Sequence, residues 1–436
     1  MLLTIKHLLS VYVVIPIVCF IGCYLTIKFK VPQIRLLPQA VKLVFKKSKN
    51  SQKSFSSFSA LAAVLGGNLG TGNIAGVAVA LTTGGPGALF WMWVMALLGA
   101  SIKFVGCYLG VMHRKVEGGL LIGGPMYYLQ NAFGHKNLAK IYCLLTIFGA
   151  LTVGNLVQIN SISMPLTTSG IHPLIVGTVA AILIGVVLLG GVKVFSKVAS
   201  RLVPIMAMLY ISGCAYILLT NVEQLLPCIE IILQDAFRRQ AAIGGVIGYS
   251  ILDALKVGVD RGLFATDAGI GLESILHSQV DSGESLKKTA YHQATITILA
   301  PIVVMCICTL TGMVLMLARS HWPSGLQSTN LCIYSFQSGF NSAFAGHLMV
   351  TITLCLFAFT TTLTWAYCAL TCVKFLFDSK NVRYFFIFLF VAVIPLGSIL
   401  STHAVWVLAD IALNCMLLIN LLGVFFLSRK LALASE

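Results

Sequence analysis

The chain has 436 residues, of which 58% are hydrophobic and only 10% are charged. Soluble globular domains carry about a quarter charged residues, so this composition excludes a soluble protein. The formal net charge of +16 does not indicate a nucleic-acid partner, because Lys and Arg lie mostly in short segments between apolar runs.

Residue types that usually carry enzyme chemistry are not grouped in this sequence. The 13 cysteines are scattered, many of them inside apolar runs, and no Cys-x-x-Cys pair occurs. The nine histidines form no His-Glu-x-x-His motif. We therefore expect neither an enzyme nor a resident cofactor, and no metal site of Cys and His ligands.

Apolar runs recur from end to end, and each is long enough to cross the roughly 30 Å hydrocarbon core of a bilayer. We predict an all-α integral membrane protein with eleven spans, at residues 9–27, 58–81, 87–112, 138–163, 171–190, 202–220, 241–272, 292–317, 344–376, 384–399 and 404–427.

The basic residues are distributed unevenly between the two sides that these spans define. Alternate loops hold 22 of the 29 Lys and Arg residues, and the loops of the opposite side hold four. Because positively charged loops stay in the cytoplasm, this asymmetry predicts an outside N-terminus and a cytoplasmic C-terminus.

Two spans are interrupted by glycine and polar residues. The second runs through "LGGNLGTGNIAGVAVALTTGGPG" (65–87), and the seventh through "AAIGGVIGYSILDALKVGVDRGLFATDAGIG" (241–271). With the first span set aside, they open two halves of five spans each, which enter the membrane from opposite sides. We therefore predict an N-terminal helix and basic loop (1–57), followed by two inverted repeats (58–240 and 241–436). Such paired interruptions point to the binding site of a secondary transporter.

A helix that is broken inside the membrane exposes N–H groups at one broken end and carbonyl groups at the other. The N–H end suits a carboxylate and the carbonyls suit a small cation. We expect Gly70 and Gly72 to allow unwinding and close approach of a ligand, whereas Gly76 is expected to be a helix-packing contact.

At these residues the chain resembles the alanine or glycine:cation symporter family. The resemblance covers nearly the whole chain and includes "GTGNIAGVA" (70–78), "GGPGALFWMWVMALLG" (84–99), "GGPMYYL" (123–129), "GNLVQINSIS" (154–163), "RGLFATDAGIG" (261–271) and "FAFTTTLTWAY" (357–367). It implies the five-plus-five inverted-repeat fold of sodium-coupled amino-acid transporters. It also implies Na⁺-coupled symport of a small neutral amino acid such as alanine or glycine by alternating access.

The resemblance also implies two groups of site residues. The substrate would contact Gly70, Thr71, Gly72, Asn73, Gln158, Phe264, Ala265, Thr266, Asp267 and Trp365, with Trp365 capping the pocket. The cation would be held near Gly66, Asn68, Leu69, Thr360 and Thr361. Because membrane threonines often bond the carbonyl four residues earlier, Thr360 and Thr361 are also open to a purely structural interpretation.

The sequence departs from the family at acidic positions. The family usually has Ser-Asn-Glu-Ala-Gly at the second break, where this chain has "ATDAG" (265–269). The family's Glu a few residues after the Lys of the third span is missing, because Lys103 is followed by Phe104, Val105 and Gly106. A family Asp in the span after the second break (292–317) falls near Val303 or Val304. Intramembrane carboxylates are usually functional, so the coupling ion is left open between Na⁺ and H⁺.

Asp267 is the one acid that remains at the predicted second break. It could stabilise the ligand ammonium or a cation, or take up a proton. The alternative is a structural bridge to Arg261. We interpret the adjacent Asp260 and Arg261 as a structural pair, because they lie a full turn away from the break.

Other functions remain open from the sequence alone. They include a symporter or exchanger of another small zwitterion such as serine, and a non-transporting amino-acid sensor. A channel is disfavoured, because channels would lack the two paired helix breaks predicted here. An intramembrane enzyme is disfavoured, because it would need a nucleophile–base pair or metal ligands within the spans. The expected partners are a small neutral amino acid, Na⁺ or H⁺, and the lipid bilayer, which we expect to be a bacterial inner membrane.

Overall fold

The computed structural model describes residues 8–46, 55–117, 120–237, 251–323, 325–326 and 328–431. The helices, in chain order, are α1 Ile15–Lys28, α2 Pro32–Arg35, α3 Leu37–Val44, α4 Ser57–Asn68, α5 Ala75–Gly84, α6 Gly87–Met112, α7 Pro125–Asn131, α8 Lys136–Leu151, α9 Val157–Thr168, α10 Pro173–Leu189, α11 Gly191–Leu219, α12 Val222–Ala236, α13 Ile251–Thr266, α14 Leu272–His277, α15 Leu286–Thr297, α16 Leu299–Leu317, α17 Ser328–Gly339, α18 Ala343–Leu376, α19 Lys380–Ile399 and α20 Thr402–Ser428.

Short irregular elements complete the described part of the chain. π-Helical turns cover Leu9–Val14 and Thr152–Leu156, and 3₁₀ turns cover Thr71–Asn73 and Arg319–His321. One antiparallel hairpin joins β1 Lys115–Glu117 to β2 Leu120–Ile122, with Lys115 opposite Ile122.

Eight helical segments of the described residues are long and apolar enough to cross a bilayer: Leu9–Lys28, Gly87–Met112, Lys136–Thr168, Gly191–Leu219, Leu286–Leu317, Ala343–Leu376, Lys380–Ile399 and Thr402–Ser428. Two shorter apolar helices, α5 and α10, coincide with parts of the predicted second and fifth spans. Residues 241–250 of the predicted seventh span lie outside the described residues. The total of eleven spans therefore stays a prediction.

Helix ends follow local chemistry. The Ser56 hydroxyl accepts the Ser59 N–H at 3.0 Å and caps the start of α4. The helix α5 stops at Gly85, whose φ of 75° lies in the left-handed region that glycine tolerates. The next helix, α6, begins at Gly87, whose N–H donates to the Asp235 carboxylate at 2.8 Å.

Two long helices organise the core. The helix α6 packs against α13, α15, α14, α16 and α1, and α18 packs against α8, α17, α9, α11 and α4. Large apolar side chains on α10 and α19, such as Val186 and Phe388, are exposed. Because a bilayer solvates apolar side chains, such outward faces fit a membrane environment.

Both predicted interruptions are present. The chain leaves the helix between α4 and α5 and again between α13 and α14. Helix α13 packs against α5, and α14 packs against α4, so the two broken spans cross inside the bundle. That the two halves of the chain are inverted repeats stays a prediction.

Candidate functional site

The first break is held open by side-chain amides. Helix α4 ends at Asn68 and α5 begins at Ala75. The Asn73 amide donates to the carbonyl oxygens of Asn68 at 2.6 Å and of Gly70 at 3.3 Å. These bonds take the place of the helical N–H groups that the break removes, so the buried carbonyls are satisfied.

Glycine at the first break permits close contact with other helices. A Cβ on Gly70 would lie 2.9 Å from Thr361 Oγ1, and one on Gly72 would lie 2.7 Å from the Phe264 ring. Around Gly76 a Cβ would meet nothing within 4 Å. The prediction that Gly76 is a packing contact was therefore wrong, because the neighbouring helices do not approach α5 at that point.

The second break is built from left-handed residues. Helix α13 ends at Thr266 and α14 begins at Leu272. Between them Asp267 has φ 50°, while Gly269 and Gly271 have φ 88° and 90°. A non-glycine residue in the left-handed region is uncommon and costs conformational energy, which is typical of functional positions.

The two breaks touch directly. The Asn68 amide of the first break donates to the Thr266 carbonyl of the second at 2.6 Å. The Phe264 ring lies over Gly72, and the Cα of Ala265 lies 4.0 Å from the position of a Cβ on Gly72. Although nearly 200 residues separate them in the chain, the breaks form one site.

A small, nearly closed chamber lies where they meet, with a volume of about 10 Å³. Eight of the predicted site residues line it, together with Gly67 and Val153: Asn68, Gly70, Gly72, Gln158, Phe264, Asp267, Thr361 and Trp365. Trp365 is fully buried and packs against Gly149 and Gly154. The Trp365 ring therefore limits the size of anything that the chamber could hold.

Gln158 links α9 to the first break. Its side-chain oxygen accepts the Thr71 N–H at 3.1 Å, and its amide donates to the Val153 carbonyl at 3.1 Å. The Thr71 hydroxyl is buried and has no hydrogen-bond partner among the described residues. An unsatisfied buried hydroxyl beside a chamber is available to a ligand.

The predicted cation residues divide into two groups. Thr361 Oγ1 lies 3.0 Å from the Gly66 carbonyl oxygen and 3.4 Å from that of Leu69, so three oxygens from two helices gather at one point. The Thr360 hydroxyl instead bonds the carbonyls of Leu356 and Phe357 in its own helix. Thr360 thus shows the structural back-bonding pattern, whereas Thr361 bridges to the first break.

Charged side chains close the side of the chamber beyond Phe264. Arg261 donates to Asp410 at 3.1 and 3.2 Å and to Asp260 at 2.6 Å. The Arg261 guanidinium also lies 5.4 Å from the Phe264 ring centroid and 5.2 Å from that of Trp406. Arg261 therefore pairs with Asp260 and Asp410, as predicted for Asp260. The alternative of an Arg261–Asp267 bridge does not hold.

The sequence did not predict the pair formed by Lys103 and Glu273. Lys103 of α6 is fully buried and faces Glu273 of α14, with 4.0 Å between Nζ and Oε2. Glu273 lies one residue beyond the predicted end of the seventh span, so its carboxylate was not counted as intramembrane. The resemblance implies a Glu a few residues after Lys103, and this chain has none there. That missing counter-charge was the signal that another helix could supply a carboxylate to Lys103.

Two broken helices that enclose a polar chamber within an apolar bundle define a membrane transporter of a small solute. The chain belongs to the sodium:alanine symporter family, whose sequence profile matches residues 1–435.

Named relatives in this family are similar over almost their whole length. The sodium/alanine symporter AgcS of Methanococcus maripaludis is 37% identical over 417 residues, which cover 93% of this chain and 90% of AgcS. The probable sodium/glutamine symporter GlnT of Bacillus subtilis is 30% identical, with 94% and 84% covered. The putative sodium/proton-dependent alanine carrier YrbD of the same organism is 31% identical, with 97% and 88% covered.

Solved structures share the fold at low sequence identity. MhsT in complex with L-phenylalanine matches with a TM-score of 0.59 at 15% identity, covering 85% of this chain and 89% of MhsT. A manganese transporter of Eremococcus coleocola matches with a TM-score of 0.55 at 14% identity, covering 87% and 78%. Membership of a transporter fold is therefore supported by sequence and by structure.

Proposed function

We propose that this protein is a secondary active symporter that couples uptake of a small neutral amino acid, alanine or glycine, to Na⁺ entry. The observation that carries the proposal is the direct meeting of two broken helices around one chamber, through the Asn68–Thr266 bond and the Phe264–Gly72 contact. The names of AgcS and YrbD support alanine, and that of GlnT adds glutamine as a competing substrate.

The substrate carboxylate would bind at the first break. The N-terminal end of α5 carries partial positive charge, and the Thr71 N–H and buried hydroxyl lie beside it. Gln158 accepts the Thr71 N–H, which the substrate carboxylate would take over on binding. Asp267 and the Thr266 carbonyl would meet the ammonium group, since Asp267 lines the same chamber.

Na⁺ would bind between α4 and α18. The Gly66 and Leu69 carbonyls and the Thr361 hydroxyl supply neutral oxygen ligands, which hard cations prefer. Because these oxygens belong to the first break, bound Na⁺ would fix the shape of the substrate site. Co-binding then couples ion and substrate through their shared preference for one conformation.

Alternating access needs a barrier on each side of the chamber. Phe264 with the Arg261–Asp410 pair would form one barrier. On the side that carries the basic loops, a second cavity is lined by Phe195 of α11 and by Tyr367 of α18, the helix that also carries Trp365. We place the basic side in the cytoplasm and the N-terminus outside, in the bacterial inner membrane. Reporter fusions to each terminus test this orientation.

Uptake into proteoliposomes tests the function. Labelled alanine, glycine, serine and glutamine are supplied under separate inward Na⁺ and H⁺ gradients. We expect alanine or glycine to accumulate above the external concentration when Na⁺ is the driving ion. Equilibration without accumulation would indicate a channel, and binding without flux would indicate a sensor; either result overturns the proposal.

A further inference from the structure

Lys103 is a buried cation in the middle of an apolar helix. Its side chain is 1% exposed, as is that of Glu273, which approaches it from α14. A lone ammonium is costly at this depth, so Lys103 needs a counter-charge. Glu273 provides one from a different helix.

The absence of a side chain at Gly106 makes room for this carboxylate. Gly106 lies one turn after Lys103 on the same face of α6. A Cβ on Gly106 would lie 3.2 Å from Glu273 Oε1, closer than ordinary packing allows. Glu273 thus reaches the turn of α6 that carries Lys103 from a different helix.

Lys103 and Glu273 do not form a hydrogen bond with each other. The 4.0 Å between Lys103 Nζ and Glu273 Oε2 is too long for a hydrogen bond. Within the described residues, neither Lys103 Nζ nor either carboxylate oxygen of Glu273 has a hydrogen-bond partner. Buried polar atoms rarely lack a hydrogen-bond partner, and binding of a cation by the Glu273 carboxylate would explain its lack of one here.

The local charge favours a monovalent cation. Asp267 also interacts electrostatically with Lys103 and Glu273, so one ammonium faces two carboxylates. The other titratable groups that face this cluster, from α6, α7, α8, α14 and α18, are neutral polar or thiol side chains: Cys107, Tyr128, Tyr142, His277 and Cys368. With one excess negative charge in a buried site, uptake of one positive charge is favourable.

We propose that Glu273, held opposite Lys103 in the notch at Gly106, binds and releases a coupling proton. A proton needs a single carboxylate oxygen, whereas Na⁺ would need a shell of oxygens beside a repelling ammonium. Protonation removes the charge of Glu273, so that the cluster keeps one charge of each sign, on Lys103 and Asp267. Loss of the proton returns the excess negative charge. Because Asp267 also lines the chamber, the cluster connects proton binding to the substrate. This inference rests on the proposed amino-acid transport.

Proton movement during substrate uptake tests the inference. Proteoliposomes carry a pH-sensitive dye inside, and alanine is added without a pH gradient. We expect the interior to acidify for the natural protein. In Glu273→Gln the acidification should fall at least about tenfold, within the usual range of coupling between sites. Exchange of labelled for unlabelled alanine, which needs no net ion movement, should continue.

Moving the carboxylate from position 273 to position 106 tests whether Glu273 binds a proton or only balances the charge of Lys103. The double variant with Gly106→Glu and Glu273→Ala returns an acid to the same turn of α6, and acidification should recover. Gly106→Glu alone should not transport, because its side chain meets Glu273. If the natural protein accumulates alanine but moves no protons, or if Glu273→Gln still acidifies the interior, this inference fails while the proposed function stands. If no amino acid is transported at all, the proposed function itself fails.

Discussion

Neutral side chains bond the freed backbone groups at both breaks, but only the second break contains a charged residue. At the first break, the neutral amides of Asn73 and Gln158 satisfy freed backbone groups, and the Asn68 amide bonds the Thr266 carbonyl of the second break. The second break has a left-handed aspartate, Asp267, and lies between two buried charged groups, Lys103 with Glu273 and Arg261 with Asp410.

This difference indicates a division of labour. Neutral dipoles can hold a carboxylate or Na⁺ without leaving a charge behind when the ligand departs. Buried charges must be compensated in every state, so they respond to proton or ligand binding. We therefore expect variants at the first break to change substrate and Na⁺ affinity, and variants near the second break to change stability and proton coupling.

The largest effect is expected for Asp410→Asn. It removes a carboxylate that makes two hydrogen bonds with the buried Arg261. Breaking a buried ion pair costs about 3–5 kcal/mol when the remaining charge has no other partner. Because Arg261 keeps Asp260, we expect the lower end of that range, about 3 kcal/mol. Denaturation in detergent measures this loss. The control is Glu117→Gln, which breaks the more exposed pair with Lys374 and should cost at most about 1 kcal/mol. Equal losses for both variants would contradict a special role of charge near the second break.

Gly72→Ala tests the contact between the two breaks. The added methyl group would lie 2.7 Å from the Phe264 ring, so Phe264 or the backbone must move. We expect alanine uptake to fall about 100-fold, which corresponds to about 2.7 kcal/mol. Gly76→Ala is the matched control in the same segment, since its methyl group meets no atom within 4 Å. Comparable uptake by both variants would show that the contact is not needed.

Asn73→Ala separates site function from general stability. It leaves the Asn68 and Gly70 carbonyls without their amide donor and should cost about 1–3 kcal/mol. Asn160→Ala removes the same number of bonds donated by an amide, to Gly397 and Leu400, away from the chamber. Both variants should unfold more easily, but only Asn73→Ala should raise the KM for alanine. A similar KM increase in both would refute the assignment of Asn73 to the substrate site.

The smallest effect is expected at the proposed Na⁺ site. Thr361→Val removes the hydroxyl that lies between the Gly66 and Leu69 carbonyls. The Na⁺ concentration for half-maximal uptake should rise about tenfold, the loss of about 1.4 kcal/mol of binding free energy. Thr360→Val removes a hydroxyl that bonds only within its helix and Met206, and should leave Na⁺ dependence nearly unchanged. A larger rise for Thr360→Val than for Thr361→Val would show that Thr360, not Thr361, contributes to the Na⁺ site.

Several features of the fold could be predicted because they depend on local sequence. The predicted third span, 87–112, coincides with α6 Gly87–Met112, since an uninterrupted apolar run can only be satisfied as a helix in lipid. The first break could be located because Gly70 and Gly72 weaken a helix wherever they occur. The second break was placed at 264–266 from the resemblance, but α13 continues through Thr266 and the break follows it. The chamber residues Gln158 and Trp365 came from the family resemblance rather than from any local pattern.

The role of individual side chains could not be predicted in the same way. Gly76 resembles its neighbours Gly70 and Gly72 in sequence, yet only the latter two meet another helix closely. Thr360 and Thr361 are adjacent, but successive helix positions point about 100° apart. One hydroxyl therefore stays in its helix while the other reaches the first break.

The amino-acid sequence by itself determined the membrane environment, the long apolar helices and the presence of two breaks. Hydropathy and backbone preference depend on a few neighbouring residues, so they can be recognised from the sequence. The tertiary structure alone decided the charge partners, bringing Lys103 to Glu273 and Arg261 to Asp410. The crossing of distant helices sets these pairings, and desolvation makes them strong only once the helices have packed.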